Sequence, residues 1–257
     1  MNLLRTISLL TLIILLAGCG SQPSRPGDGR PLTGDNDPTH PATLNAELGL
    51  AYMQRGNFEL AMERLQRALV QNPRSAMAHH YIAELYRRLD EPDRAAHHFR
   101  EAVALTPDDS SLRNNYGVFL CERGEYLASE EHFLAALHNP VFRDRVQTLE
   151  NLGVCMQLAG RDDKARDYFG RALRIQANLP ITLFSLAEIT FQAGEADTAA
   201  DYLRRHLAIA SPTAESLWLG VRIERQRGNR DSANDYAAQL IESFPDAEQT
   251  QLLLRTR

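Results

Sequence analysis

Apolar side chains along this chain follow two regimes. Residues Ile7–Ala17 form an almost unbroken apolar run, interrupted only by Ser8 and Thr11. From about residue 42 to 245 the pattern is amphipathic, with apolar positions three and four apart and polar ones between, the mark of helices that bury one face. The stretch between, residues 20–41, is made of Gly, Pro, Asp, Ser and other polar residues, with Leu32 as its one large apolar side chain. It buries too little to offset the entropy of ordering it and is expected to act as a tether. Its 22 residues have a mean reach on the order of 25 Å.

The amphipathic region repeats. Gly56, Gly124, Gly160, Gly194 and Gly228 recur at spacings of 68, 36, 34 and 34, with Asp90 standing midway through the first gap. A large–small pair precedes each turn: Leu48-Gly49, Ile82-Ala83, Tyr116-Gly117, Leu152-Gly153, Leu186-Ala187 and Leu219-Gly220. After each turn follow Ala61, Leu65 and Ala68, then Ala95, Phe99 and Ala102, then Ser129, Phe133 and Ala136, then Ala165, Phe169 and Ala172, and in the last two units Ala199, Leu203 and Ala233. Each unit therefore reads as two helices, with small residues where the pair crosses closely and large ones filling the gaps between units. Glycine at the turn takes a left-handed cap, and Pro73, Pro107 and Pro245 close units because proline cannot continue a helix. The pattern resembles the tetratricopeptide repeat. The expected fold class is all-α, a superhelix of six helix-turn-helix repeats at about 42–75, 76–109, 110–145, 146–179, 180–212 and 213–246, with 247–257 as a tail. Thr190 and His206 depart from the pattern in the fifth unit, and Asn139–Arg145 adds two residues to the third.

Stacked pairs of this kind carry a concave groove lined by their first helices. The resemblance places Ala46, Leu50, Met53 and Gln54 there in the first unit, and Met77, His80, Glu84 and Arg87 in the second. Asn114, Val118, Cys121 and Glu122 follow in the third, Glu150, Val154, Gln157 and Leu158 in the fourth, and Phe184, Glu188 and Phe191 in the fifth. Leu50, Met53, Val154, Leu158, Phe184 and Phe191 are apolar where the stack alone need not bury them, which suits a partner helix or extended peptide. Gln54, His80, Glu84, Asn114 and Val118 complete the expected binding positions.

The first eighteen residues read as a signal peptide, with Arg5 ahead of an apolar run too short to span a bilayer comfortably. The run ends in Leu16-Ala17-Gly18-Cys19, which resembles a lipobox. Lipidation of Cys19 would give stable anchoring, because more than one acyl chain is attached. Gly20 and Ser21 follow, with no Asp directly after the cysteine, and by resemblance to sorted lipoproteins that favours the periplasmic face of the outer membrane.

Composition narrows the chemistry. The 257 residues carry a formal charge of −5 from 33 acidic and 28 basic side chains, a mixed, mildly acidic balance that excludes phosphate neutralisation as the main task. Cys121 and Cys155 are expected on the first helices of neighbouring repeats, where a spacing near 9–10 Å would put them beyond disulfide reach; two free thiols are the expectation. His79, His80, His97 and His98 cluster in the second unit but show no HExxH or Cys/His zinc spacing. Acidic pairs such as Asp108-Asp109 and Asp162-Asp163 fit helix starts. There is no phosphate-binding glycine loop, no nucleophile elbow and no catalytic triad, so no enzyme activity, no cofactor, no metal and no small-molecule substrate is expected.

More specific stretches are Asn114-Asn115-Tyr116-Gly117 with Phe119-Leu120, Glu150-Asn151-Leu152-Gly153 after the irregular segment, and Leu219-Gly220-Val221-Arg222-Ile223 opening the last unit. Together with the lipobox and six units, they resemble the type IV pilus pilotin family (PilF/PilW). That resemblance implies an outer-membrane lipoprotein that helps the pilus secretin reach that membrane and assemble there. An alternative is a repeat lipoprotein of another envelope machine, such as the one inserting outer-membrane barrels, expected to lack the Asn-Asn-Tyr-Gly stretch and the irregular loop. A periplasmic enzyme with an added catalytic domain is not expected, since only about a dozen residues follow Pro245.

Overall fold

The computed structural model of the protein describes residues 37–255. The signal segment, Cys19 and the tether as far as residue 36 lie outside the described residues. Thirteen helices make up the regular structure among the described residues. They are α1 (Pro41–Gln54), α2 (Phe58–Gln71), α3 (Ala76–Arg88), α4 (Pro92–Leu105), α5 (Ser110–Glu122), α6 (Tyr126–Leu137) and α7 (Arg145–Leu158), then α8 (Asp162–Ile175), α9 (Pro180–Gln192), α10 (Ala196–Leu207), α11 (Ala214–Gln226), α12 (Arg230–Ser243) and α13 (Glu248–Arg255). The first twelve form six pairs, as the repeat period predicts. The thirteenth corrects the expectation of a tail. Its Leu253 is fully buried and joins Leu217, Val221 and Leu240. A terminal repeat exposes the face that a next repeat would cover, and α13 covers it here.

Local chemistry sets the helix ends. Ser75 accepts from the N–H of Ala78 at 3.1 Å, Asn57 from that of Leu60 at 3.3 Å, and Thr213 and Ser216 cap one another reciprocally, each satisfying donors that a helix start leaves open. Pro41, Pro92 and Pro180 stand at first helical positions, where the missing N–H costs nothing. The five turn glycines have φ between +69° and +82°, and Asp90 takes φ 58° at the turn of the second repeat, a left-handed position that aspartate tolerates better than most.

Within each pair a small residue faces a large one sixteen positions on. Gly49 lies against Leu65, Gly117 against Phe133, Gly153 against Phe169 and Gly220 against Tyr236, in each case too close to admit a Cβ without a shift. The helices group into two compact units, the first ending at Leu112 and the second beginning at Arg113. The first is built around Met53, Leu65, Ile82 and Leu85. The second is built around Phe133, Leu152, Met156 and Phe169, continuing through Leu203, Leu219 and Ile223. The irregular segment before α7 is tied down by Arg145, whose Nη1 donates to the carbonyls of Leu137 at 2.7 Å and Asn139 at 3.1 Å. The Leu137 carbonyl is one that the end of α6 would otherwise leave open.

The expectation of two free thiols is also corrected. Cys121 of α5 and Cys155 of α7 form a disulfide with their Cα atoms 5.8 Å apart. The distance of 9–10 Å used above is an axis-to-axis spacing. Each Cα stands about 2.3 Å off its own axis, so two residues facing each other across the seam approach to about 5 Å, within disulfide range.

Candidate functional site

In the first unit the expected groove positions are largely closed. Met53 is 2% exposed and sits in the core with Ile82 and Leu85, and Leu50 is half-buried against the same cluster. Met53 is therefore not available to a partner in this arrangement. Gln54 is exposed. The exposed large apolar side chains of α1 are Leu44 and Leu48, each 46% exposed and one turn apart. His80 packs near the rings of Tyr81 and Phe99, and burial lowers its imidazole pKa against the pull of Glu84 and Asp109. Glu84 accepts from Arg87 Nε at 3.0 Å.

The histidine cluster of this unit is a hydrogen-bonded pair. Nδ1 of His79 and Nδ1 of His98 are 3.0 Å apart, and Nε2 of His79 is 3.3 Å from the carbonyl of Pro73. Burial, then the charges of His79 and His97, press the pKa of His98 down to about 4. No three metal-ligating side chains converge among the described residues.

In the second unit the expected positions line the faces of two neighbouring first helices. On α7, Glu150, Val154 and Gln157 recur at i, i+4 and i+7, and on α9 Phe184, Glu188 and Phe191 do the same, so each set lines one face of its helix. The two stripes are joined at both ends: Thr182 Oγ1 donates to Glu150 Oε1 at 2.7 Å, and the Gln157 side chain hydrogen-bonds Glu188. Arg222 of α11 lies over the ring of Phe191, 4.6 Å from its centroid. Burial is the largest influence on both carboxylates. It raises the pKa of Glu150 against the Thr182 hydrogen bonds, and that of Glu188 to about 7 against Arg222 and Gln157. Phe184, Phe191 and Leu158 are half-buried; Val154 is 8% exposed and belongs to the core. Val118 is half-buried against that core, and Cys121 is engaged in the disulfide. Asn114 is held in an amide network, its Oδ1 accepting from Thr148 Oγ1 at 3.0 Å and Asn151 Nδ2 at 3.2 Å.

Arg222 was not among the expected binding positions. It stands inside an apolar stretch, Leu219–Ile223, and a lone charge at the exposed position of such a stretch was the available signal. The two surface hollows of note lie at turns, around Arg55–Glu59 and Gly160–Lys164, away from these stripes. The Glu130 carboxylate, which accepts from Lys164 Nζ at 2.7 Å and from the Tyr168 hydroxyl at 2.9 Å, clamps α6 to α8 and has no place in the groove.

Comparison with known proteins places this geometry. Residues 57–211 match the tetratricopeptide repeat family model. The chain is 31% identical over 188 residues to the type IV pilus assembly protein PilF of Pseudomonas aeruginosa, covering 73% of each chain. The solved structure of Pseudomonas aeruginosa PilF superposes with a TM-score of 0.75 at 30% identity, covering 84% of this chain and 97% of that one. The crystal structure of PilW, described as a widely conserved type IV pilus biogenesis factor, gives a TM-score of 0.75 at 30% identity, covering 83% and 98%. A peptide-binding repeat protein, YrrB, shares the fold at 17% identity with a TM-score of 0.61.

Proposed function

The chain belongs to the tetratricopeptide repeat family, among the type IV pilus biogenesis factors with PilF and PilW, and we propose that within it this protein is a pilotin. It would be an outer-membrane lipoprotein, anchored through Cys19, that receives the pilus secretin and supports its assembly. The kinship with PilF across both units carries this reading. The Leu-Ala-Gly-Cys motif after an apolar run supports the anchor. The disulfide supports an oxidising compartment such as the periplasm. A stack of helix pairs of the tetratricopeptide type supports a role in holding protein partners.

The test uses full-length protein in its own host. Cys19→Ser is expected to release the protein from outer membranes on flotation and to reduce secretin multimers there, while the circular-dichroism spectrum is unchanged. Flotation of Cys19→Ser with outer membranes sinks the anchor reading. Pull-down of the lipidated protein from detergent-solubilised envelopes without secretin sinks the pilotin reading. On the first unit, Leu44→Glu and Leu48→Glu are the informative pair for secretin retention, with Glu242→Ala on α12 as control. Met53→Glu would first bury a charge in the core and reports on folding.

A further inference from the structure

We propose that the turns after α6, α8 and α10 form an edge that docks on an anionic phospholipid surface, with Val141, Ile175 and Ile209 entering the headgroup layer and Arg143 and Arg174 meeting lipid phosphates. This rests on the reading of the chain as a lipid-anchored protein.

The repeat period brings the aliphatic side chains together. Val141, Ile175 and Ile209 are 81%, 57% and 38% exposed and stand 34 residues apart in sequence. Val141 lies in the turn after α6, Ile175 is the last residue of α8, and Ile209 is two residues beyond α10. Successive helices of the stack run antiparallel, so these three turns share one edge and recur about every 10 Å along it. Two contacts tie the later turns together: Arg205 Nη2 donates to the carbonyl of Ala177 at 3.0 Å, and Nδ1 of His206 is 3.0 Å from the carbonyl of Pro180. In the first turn the Asn139 side chain accepts from the N–H of Val141 at 3.1 Å, and Phe142 is buried while Val141 faces outward.

Charge identifies what the edge meets. Residues 138–145, 173–181 and 203–213 hold five arginines and one carboxylate, Asp144, in a chain of net charge −5. The turns of the opposite edge, 123–126, 160–164, 194–198 and 228–232, hold six carboxylates against four cations. Three of the five arginines have partners within the fold: Arg145 on the carbonyl of Leu137, Arg204 on Asp201 at 2.6 Å, and Arg205 on Ala177. Arg143 and Arg174 are exposed and stand in no ion pair among the described residues. A stable protein interface needs about 800 Å² on each side, and single aliphatic side chains on separate turns offer no such continuous patch. A bilayer takes them singly: each aliphatic group buries at the boundary of headgroups and acyl chains, and each guanidinium reaches a phosphate. An anchor at Cys19 keeps the body near the bilayer, so the edge has only to orient it.

With Cys121 and Cys155 paired and Cys19 lipidated, an introduced cysteine is the one thiol open to labelling. The full lipidated chain carrying Ile175→Cys is labelled with a fluorophore and reconstituted into vesicles of phosphatidylethanolamine and phosphatidylglycerol that contain a nitroxide-bearing lipid as quencher. Leu127→Cys, at the start of α6 on the opposite edge and 63% exposed in the native chain, is the comparison. The label at 175 is expected to be quenched more than the label at 127, and to lose that excess in vesicles of phosphatidylcholine alone. An arginine near an anionic surface is worth about fivefold in docking, so R143Q/R174Q should weaken docking about twentyfold and abolish the excess. Equal quenching at 175 and 127, an excess that persists in phosphatidylcholine, or an excess untouched by R143Q/R174Q overturns the proposal. A label at 175 that is unquenched in vesicles but shielded in native outer membranes assigns the edge to a protein and also overturns it. The comparison of 175 with 127 keeps both arginines, so it stands even if the double variant folds poorly. Vesicles that float with the protein while the label at 175 stays unquenched leave the anchor reading intact; a protein that floats with neither vesicle sinks the anchor and the edge together.

Discussion

Gly153 and Gly170 lie seventeen residues apart in the fourth repeat, and methylating each should move stability in opposite directions. A Cβ on Gly153 would stand 2.5 Å from both Cδ1 and Cε1 of Phe169 and 2.9 Å from Cζ. Carbon atoms in contact sit about 3.5–4 Å apart, so the ring must retreat by about 1 Å. Phe169 is fully buried among Leu152, Met156 and Ala172, and overfilling a packed core costs about 1–3 kcal/mol. The overlap with a rigid ring places Gly153→Ala near the upper end. Alanine recovers about 1 kcal/mol of helix propensity over glycine, leaving a net loss of about 2 kcal/mol. At Gly170 on α8 the nearest atom to a new Cβ is Nη1 of Arg174 at 3.8 Å, the far end of a flexible side chain. Only the propensity gain remains there, and Gly170→Ala should stabilise by up to about 1 kcal/mol. Urea unfolding followed by far-ultraviolet circular dichroism, with both variants and wild type measured together, reads the difference. Equal shifts of the same sign would refute the close-crossing account of the repeat.

Three further outcomes follow from the second unit. The disulfide closes a loop with a sequence separation of 34, worth about 4 kcal/mol in the chain-entropy account, so Cys121→Ala should lower the unfolding midpoint of that unit and reductant should do the same to wild type; alkylation and mass spectrometry finding both thiols free in oxidised protein would contradict it. Ser129 donates to the carbonyl of Gly117 at 2.7 Å, whereas buried Ser185 Oγ has no hydrogen-bond partner; Ser129→Ala should cost about 1 kcal/mol and Ser185→Ala should be neutral or stabilising by calorimetry. The Glu188 carboxyl, raised to about 7 by burial, binds its proton more tightly folded than unfolded, so its contribution is fully present below the unfolded pKa and is lost as pH rises through 7. Glu188→Gln should therefore raise the melting temperature at pH 8, by a gain on the order of 1–3 kcal/mol, and change it little at pH 5.

The fold could be read from sequence because its physics is local and repeated. A small residue and a large one sixteen positions apart, with a left-handed turn between them, recur in Gly49 and Leu65, Gly117 and Phe133, and Gly153 and Phe169, and each occurrence reinforces the register of the others. Even the exception was visible, since Asp90 takes the place and the conformation of a glycine. What the period could not supply was the tertiary cover at the ends. The last helix rests on Leu253 filling the face of α11 and α12, and a single short amphipathic segment after a proline carries no repeat signal.

The groove was harder to read, for a reason the first unit makes plain. Helical spacing tells which side chains share a face, but not what stands opposite that face. Leu50 and Met53 occupy the same places in their repeat as Glu188 and Phe191 do in theirs, yet Met53 is closed by Ile82 and Leu85 of the next first helix while Phe191 stays half-open beneath Arg222. The difference lies in the neighbour. A methionine bends into the gap beside an aliphatic pair and fills it, whereas the Phe191 ring meets the Arg222 guanidinium across its face, 4.6 Å from its centroid. The same reasoning separates the two cysteines from the rest of the seam: their pairing depended on the distance between facing Cα atoms, which is shorter than the spacing between axes by two helix radii. Positions left open to a partner are thus those where the next helix presents too little to cover the side chain, and in this protein Phe184 and Phe191, half-buried on α9, meet that condition.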